Sequence, residues 1–397
     1  MNRKVHTQLV IIAAGAGKRL QPLVTPKAAF PFLGKPYILH VLENLAPLPR
    51  EKTIVVVSPD VAELLEETLK NIGVRVVVQK AATGMADAVI AAEKSLDKTM
   101  PTLITNLAIQ DQDLVRDMVL AIKNDPNTAI MSSTKVSLYK PGGYLVLSNK
   151  KVCGVVEKPG ADHMPSDLYK LVFDYFPSTE KLLAAIRTAQ SKSDDVYEVA
   201  VNGLLESEGA IHIESSNRHP SFKYVPSVLD VMSGLLTRAG AKQSPHATIA
   251  KTAIVDGDVI IEEGAKVLDF AAIKGPAYIG KNVVVGNGAL VRESAVEEGC
   301  EIGYNTEVAR SYIGPKTKCH TSYIGDSIIE GGSNLAAGTI TANLRFDEQN
   351  IQVKLPSGTY DTGRRKFGAI IAKGAKTGIH ASLMPGTVVN PGELWNK

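Results

Sequence analysis

Six aliphatic residues, Ile261, Val267, Ile273, Ile279, Val285 and Val291, recur at every sixth position in the second half of this chain. That interval is too long for the two-residue alternation of a strand and matches no face of an α-helix. It fits a coil with three short flat sides, each sending one aliphatic side chain inward, with tight turns at the corners. Glycine follows several such positions, as in Ile279-Gly280, Val285-Gly286, Ile302-Gly303, Ile313-Gly314 and Ile324-Gly325. An aromatic content of only 5% suits a thin aliphatic core. A β-sandwich would need longer alternating strands, with turns about every 8–12 residues. The pattern predicts a left-handed parallel β-helix of hexapeptide repeats over 247–397.

The first half has a different rhythm. Apolar runs at Leu9 to Ala14, Thr53 to Val57, Val74 to Val78 and Pro101 to Thr105 read as strands, and Val61 to Leu69 and Met85 to Leu96 as helices. This alternation predicts an α/β, Rossmann-like domain on a parallel sheet, with ligands at the carboxyl ends of the strands. At 397 residues the chain exceeds one ordinary core. The polar stretch from Leu236 to Ser244 marks a linker, so the expected division is 1–235, a linker at 236–246, and 247–397.

Composition excludes several classes of partner. A net charge of +3 with 21% charged residues provides no basic field for nucleic acid. No apolar run approaches the roughly 20 residues of a membrane helix. Met1-Asn-Arg-Lys4 leads straight into a strand without a targeting segment. Cys153, Cys300 and Cys319 lie far apart and form no C-x-x-C pair, which points to a reducing compartment and away from structural zinc. A cytoplasmic protein is expected.

Chemistry concentrates first where Leu9 to Ala14 runs into Gly15-Ala16-Gly17, followed by Arg19, Thr25-Pro-Lys27 and Gly34-Lys-Pro36. Two glycines let backbone N–H groups approach phosphate oxygens closely. Arg19 and Lys27 add fixed positive charge suited to stabilising nucleotidyl transfer. The run is neither a P-loop, lacking Gly-Lys-Ser/Thr, nor a dinucleotide fingerprint, whose third glycine would fall at Leu20. A plain glycine turn is the alternative for Gly15-Ala16-Gly17 alone.

This stretch resembles the sugar-1-phosphate nucleotidyltransferases, whose signature is G-x-G-x-R-L/M followed by P-K. The resemblance implies that Ala14, Gly15 and Gly17 bind nucleotide and that Arg19 and Lys27 act in catalysis. Gln79 to Ala88 looks like the family's base-reading segment, implying that Gln79 and Gly84 meet the pyrimidine of UTP or dTTP. Pro141-Gly-Gly-Tyr144 through Val152 to Pro159 looks like the sugar-binding stretch, implying that Gly143, Glu157 and Lys158 hold the sugar and its phosphate.

The second half carries a further likeness. Lys318-Cys-His-Thr-Ser-Tyr-Ile-Gly-Asp326, Ala337 to Asn343 and Arg364 to Ile371 resemble the acetyltransferase half of the bifunctional N-acetylglucosamine-1-phosphate uridylyltransferase/glucosamine-1-phosphate acetyltransferases, in their archaeal form. An amine attacking a thioester must lose a proton, and a histidine, which titrates near neutrality, is a natural general base. The resemblance implies that His320 takes that proton and that Tyr323 and Asn343 position the amino sugar or stabilise the oxyanion. It further implies that Arg345 and Lys366 hold the sugar phosphate and coenzyme A. Acetyl-CoA and a sugar-1-phosphate are the implied partners, and a homotrimer is the implied assembly.

The sequence departs from this family at the metal. Nucleotidyl transfer uses Mg²⁺, and the family holds it with the Asp of a Gly-Asp pair after the fourth strand. Here that stretch reads Leu103-Ile-Thr-Asn-Leu-Ala-Ile-Gln-Asp111, leaving Asp111 as the candidate ligand. The sugar loop N-x-G reads Lys170-Leu-Val172. Three readings stay open: a bifunctional enzyme of amino-sugar nucleotide synthesis, a nucleotidyltransferase with a structural β-helix, and a nucleotide-sugar sensor without catalysis.

Overall fold

A computed structural model describes residues 5–15, 17–81, 83–193, 195–216 and 222–396. Ala16, inside the glycine turn, and Ala82, inside the base-reading segment, lie outside the described residues. The chain forms two compact units, one of residues 1–16 and 38–219 and the other of 17–37 and 220–397.

The opening elements are β1 (Gln8–Ala13), β2 (Pro31–Phe32), β3 (Lys35–Pro36), α1 (Tyr37–Asn44), β4 (Thr53–Val57) and α2 (Pro59–Asn71). Next come β5 (Arg75–Val78), α3 (Met85–Ala92), β6 (Thr102–Asn106), α4 (Gln112–Asn124), β7 (Ala129–Lys135), β8 (Gly143–Ser148) and β9 (Lys151–Glu157). The series closes with β10 (Leu168–Phe176), α5 (Thr179–Thr188), α6 (Val196–Glu208), β11 (Ala210–Ser215) and α7 (Ser227–Ala239).

The first unit is built on one nine-stranded sheet in the order β5-β4-β1-β6-β10-β7-β11-β9-β8. β1 lies between β4 and β6, parallel to both, which explains its unbroken apolar run. On one face Val10, Ile54, Val56 and Ile104 join Ala88, Val89 and Ala92 of α3 in a buried core. α2 buries Val61, Ala62, Leu65 and Leu69, the three-to-four spacing of a one-sided helix. The sheet is mixed rather than all parallel, because β10 runs antiparallel to both β6 and β7. Its pairing with β7 shifts register between Leu171 and Tyr175. That irregularity falls in the segment where Lys170-Leu-Val172 replaces the sugar loop.

The second unit contains the β-helix, with three parallel sheets of eight, eight and seven short strands. Ile261, Ile279, Val296, Ile313, Ile329, Ile371 and Val389 stack in register as one inward column. All are essentially inaccessible to solvent. A paired hairpin, Gln352–Leu355 with Gly358–Asp361, interrupts the coil and ends in a bridge between Leu344 and Lys366.

Two sequence expectations move. The boundary at 235/236 falls inside α7, and the linker read at 236–246 covers the end of that helix and the strand Lys242–Gln243 of the first coil. Residues 17–37, read with the first half, belong to the compact unit of the β-helix. The reason is aromatic packing. Phe30, Phe32 and Tyr37 bury themselves with Phe222 and Tyr312, their ring centroids 5.1–5.8 Å apart. Among the described residues no helix is long and apolar enough to cross a membrane.

Candidate functional site

In the first unit, β1 is followed by buried Ala14 and exposed Gly15. A Cβ built on Gly15 meets no atom within 4 Å, so the backbone there faces open space. Gln79 follows β5 and is buried, its Nε2 donating to the Gly84 carbonyl at 3.3 Å and the Thr83 hydroxyl at 3.4 Å. Those bonds leave its side-chain carbonyl oxygen available as an acceptor. Gly84 takes φ +114° just before α3, a conformation that favours glycine.

At the end of β6 stands Asn106, whose buried Oδ1 has no hydrogen-bond partner among the described residues. Leu107 is buried and donates its N–H to Ile12. Asp111, expected as a metal ligand, is instead the N-cap of α4. Its carboxylate accepts from the Asp113 N–H and the Ser215 hydroxyl, each at 3.4 Å. Asp113 pairs outward with Arg116 at 2.7 Å. A capping carboxylate tied to a helix end is poorly disposed to bind a cation as well. Among the described residues no three His, Cys, Asp or Glu side chains gather as a metal site. Among the described residues the arrangement does not fit a protein-held Mg²⁺.

The sugar-binding candidates do come together. Gly143 on β8 pairs with Glu157 on β9. A Cβ on Gly143 would stand 3.2 Å from Glu157 Oε2 and 3.4 Å from Lys170 Cβ. Lys158 Nζ lies 3.3 Å from Glu157 Oε1. Beneath them is a charged cluster that sequence reasoning missed. Buried Lys170 donates to Asp174 Oδ2 at 2.5 Å, and the Tyr197 hydroxyl donates to the same oxygen at 3.0 Å. Asp174 Oδ1 stays buried without a partner among the described residues, and burial pushes this carboxyl above its usual range against the pull of Lys170. On α6, Asn202 clamps both backbone groups of Val155 at 2.7 and 2.9 Å. One turn earlier, Glu198 has its pKa pushed up to about 7, chiefly by burial. The lysine in place of the sugar loop's asparagine was the visible signal. Its acidic partners become neighbours only through the fold.

In the second unit, Gly17 adopts φ +62°, again with open space where a side chain would be. Arg19 lies 5.9 Å over the Tyr224 ring, and Tyr224 stacks on Tyr360 of the hairpin at 4.4 Å. Lys27 sits 5.6 Å over Phe222 and 5.8 Å over Tyr37. Burial, and then the nearby Lys223 charge, lowers its pKa to about 7. The charge read as fixed is thus titratable near neutrality.

On the β-helix, His320 is exposed at a corner and Tyr323 begins the next short strand of the same coil. Asn343 Nδ2 donates to Asp326 Oδ2 at 2.5 Å and to the Tyr323 hydroxyl at 3.3 Å. Arg310, absent from the sequence reading, grips Asp326 with two bonds of 2.7 Å. The Leu344–Lys366 bridge, with the Phe367 N–H donating to the Asn343 carbonyl at 2.9 Å, brings Lys366 beside Asn343 along the chain. Arg364 and Arg365 are paired with Asp230 and Glu348. Arg345 turns to its near neighbour Asp347 on the exposed surface.

The nucleotidyl transferase family model matches residues 8–210, and the bacterial transferase hexapeptide model matches 258–293. A bifunctional sugar-1-phosphate nucleotidylyltransferase/acetyltransferase from Sulfurisphaera tokodaii is 32% identical, covering 98% of this chain and 96% of that protein. The chain belongs to that family. Other members, both called bifunctional protein GlmU, are 32% identical in Methanococcus vannielii and 30% identical in Methanocaldococcus jannaschii. The alignments cover 97% and 96% of this chain and 92% and 91% of those proteins. This member of the bifunctional family carries a nucleotidyl transferase domain followed by a hexapeptide β-helix.

Proposed function

We propose that this transferase acetylates glucosamine-1-phosphate with acetyl-CoA on the β-helix. The Tyr323–Asn343–Asp326–Arg310 network carries the reading, because it orders polar groups on the coil that also bears His320. His320 accepts the proton as the sugar amine attacks the acetyl carbonyl. The C–N bond forms, the C–S bond breaks, and coenzyme A leaves as the thiol once its thiolate gains a proton. Tyr323 and Asn343 supply hydrogen bonds to the sugar or the oxyanion, and Lys366 offers charge to a phosphate. The assembly this reading expects is a homotrimer.

The α/β domain, on the same proposal, binds UTP or dTTP through Gly15, Gly17 and Gln79, with Arg19 and Lys27 on the phosphates. It joins the nucleotide to a sugar-1-phosphate held by Gly143, Glu157 and Lys158. A second reading, nucleotide binding without transfer, is favoured by one observation: the carboxylate nearest the end of β6 is spent as a helix cap. Two assays separate them, acetyl transfer to glucosamine-1-phosphate and pyrophosphate release from UTP or dTTP with the acetylated sugar phosphate and Mg²⁺. Acetyl transfer alone selects the second reading. Silence in both, with nucleotide still bound, leaves a sensor.

A further inference from the structure

Two carboxylates on one edge of the β-helix are buried without being part of its repeat. The corner after the column Ile261, Ile279, Val296, Ile313, Ile329, Ile371 and Val389 is Glu262, Gly280, Glu297, Gly314, Glu330, Ala372 and Asn390 in turn. Of its three glutamates Glu262 stays partly exposed, while the other two are buried. Glu297 is 1% exposed and Glu330 3%. A buried carboxylate is costly unless donors replace its water.

The donors are backbone N–H groups of the nucleotide-signature segment. Glu297 accepts from Leu33 and Gly34 at 2.8 and 2.9 Å, one on each oxygen. Glu330 Oε1 accepts from Val24 and Thr25 at 2.8 and 2.6 Å, and its Oε2 from Lys373 of the next coil at 2.9 Å. Between them the Tyr312 hydroxyl donates to the Pro31 carbonyl at 2.8 Å. Three successive coils thus grip residues 24–34 at three points. Lys27 lies between the two carboxylate clips.

We propose that Glu297 and Glu330 are positioning residues for nucleotide binding, holding the segment that carries Lys27 against the edge of the β-helix. The inference rests on the proposed nucleotide role of Lys27. The clips fix the backbone on either side of Lys27, so the ammonium is set by the β-helix edge.

The test uses the full-length protein and its variants E297Q, E330Q and the double variant. Each amide nitrogen replaces a carboxylate oxygen that now accepts an N–H. Hydrogen exchange is read at the amides of Val24, Thr25, Leu33 and Gly34, and UTP and dTTP affinity by calorimetry. Pyrophosphate release, acetyl transfer and thermal melting are measured on the same samples. The expected result is exchange faster by about tenfold or more at the amides facing the altered side chain. Nucleotide affinity falls severalfold, and pyrophosphate release falls with it where the parent shows any. Acetyl transfer and the melting of the β-helix stay near the parent's values. Unchanged exchange overturns the clips, and faster exchange with unchanged nucleotide affinity overturns their positioning role. A variant that loses acetyl transfer and melts early as well has lost the coil, and the proposal fails for that residue. A parent protein that binds neither nucleotide refutes the underlying reading and this inference with it.

Discussion

Asn343 and Asp326 are joined by a 2.5 Å hydrogen bond across adjacent coils, with Arg310 closing the far side of the same carboxylate. Asp326 is almost wholly buried, so its charge is balanced chiefly by these donors. Replacing it by Asn removes that charge and the acceptor that orients Asn343. Asp326→Asn is expected to lower kcat for acetyl transfer about tenfold or more while nucleotide affinity holds, a split read by steady-state kinetics and calorimetry.

His320→Ala should reduce acetyl transfer by about 10²–10⁴-fold without altering the melting temperature, since the side chain is exposed at a corner. Retention of full acetyl transfer would remove His320 from the mechanism.

The lowered pKa of Lys27, about 7, gives nucleotide binding a pH dependence. Below that pH the ammonium is charged and meets phosphate; above it the charge is lost. Affinity for UTP or dTTP is expected to fall as pH rises through 7, and Lys27→Arg to flatten the profile because Arg stays protonated. For stability the sign is opposite. The unfolded chain binds more protons between about 7 and 10.5, so Lys27 makes the fold more stable as pH rises through that window.

Lys170 and Asp174 form a fully buried ion pair. Asp174→Asn would strand the ammonium without its counter-charge, and a loss of about 3–5 kcal/mol is expected in urea unfolding. Replacing both by apolar residues should recover much of that loss.

Asp111→Ala tests the metal site. As a helix cap its removal should cost about 1 kcal/mol of stability and leave the Mg²⁺ dependence of any pyrophosphate release unchanged. A specific loss of Mg²⁺ dependence would restore Asp111 as a ligand.

Much of this was legible in the chain. The six-residue beat from Ile261 to Val291 marks the stacked columns, because each coil must send one aliphatic side chain inward at each side. The run from Leu9 to Ala14 reads as a strand buried on both faces, and β1 occupies Gln8–Ala13 between two parallel neighbours. Local period and burial are properties of consecutive residues, so sequence expresses them directly.

What sequence could not express was pairing between distant residues. Nothing near Lys170 shows that Tyr197 will share its acidic partner, nor does Asp326 reveal Arg310 one coil away. Asp111 was the candidate ligand in the stretch that lacks the family's Gly-Asp pair, and in the tertiary structure the same carboxylate caps the start of α4. The signature around Lys27 read as part of the α/β domain. Its compact unit was decided by two aromatic rings, Phe222 and Tyr312, and two buried glutamates, Glu297 and Glu330, drawn from far along the chain. The order of residues dictates the repeat, the strands and the residue types available for chemistry. The tertiary structure decided which charges meet, because hydrogen bonds and desolvation act over a few ångströms in space, whatever the separation along the chain.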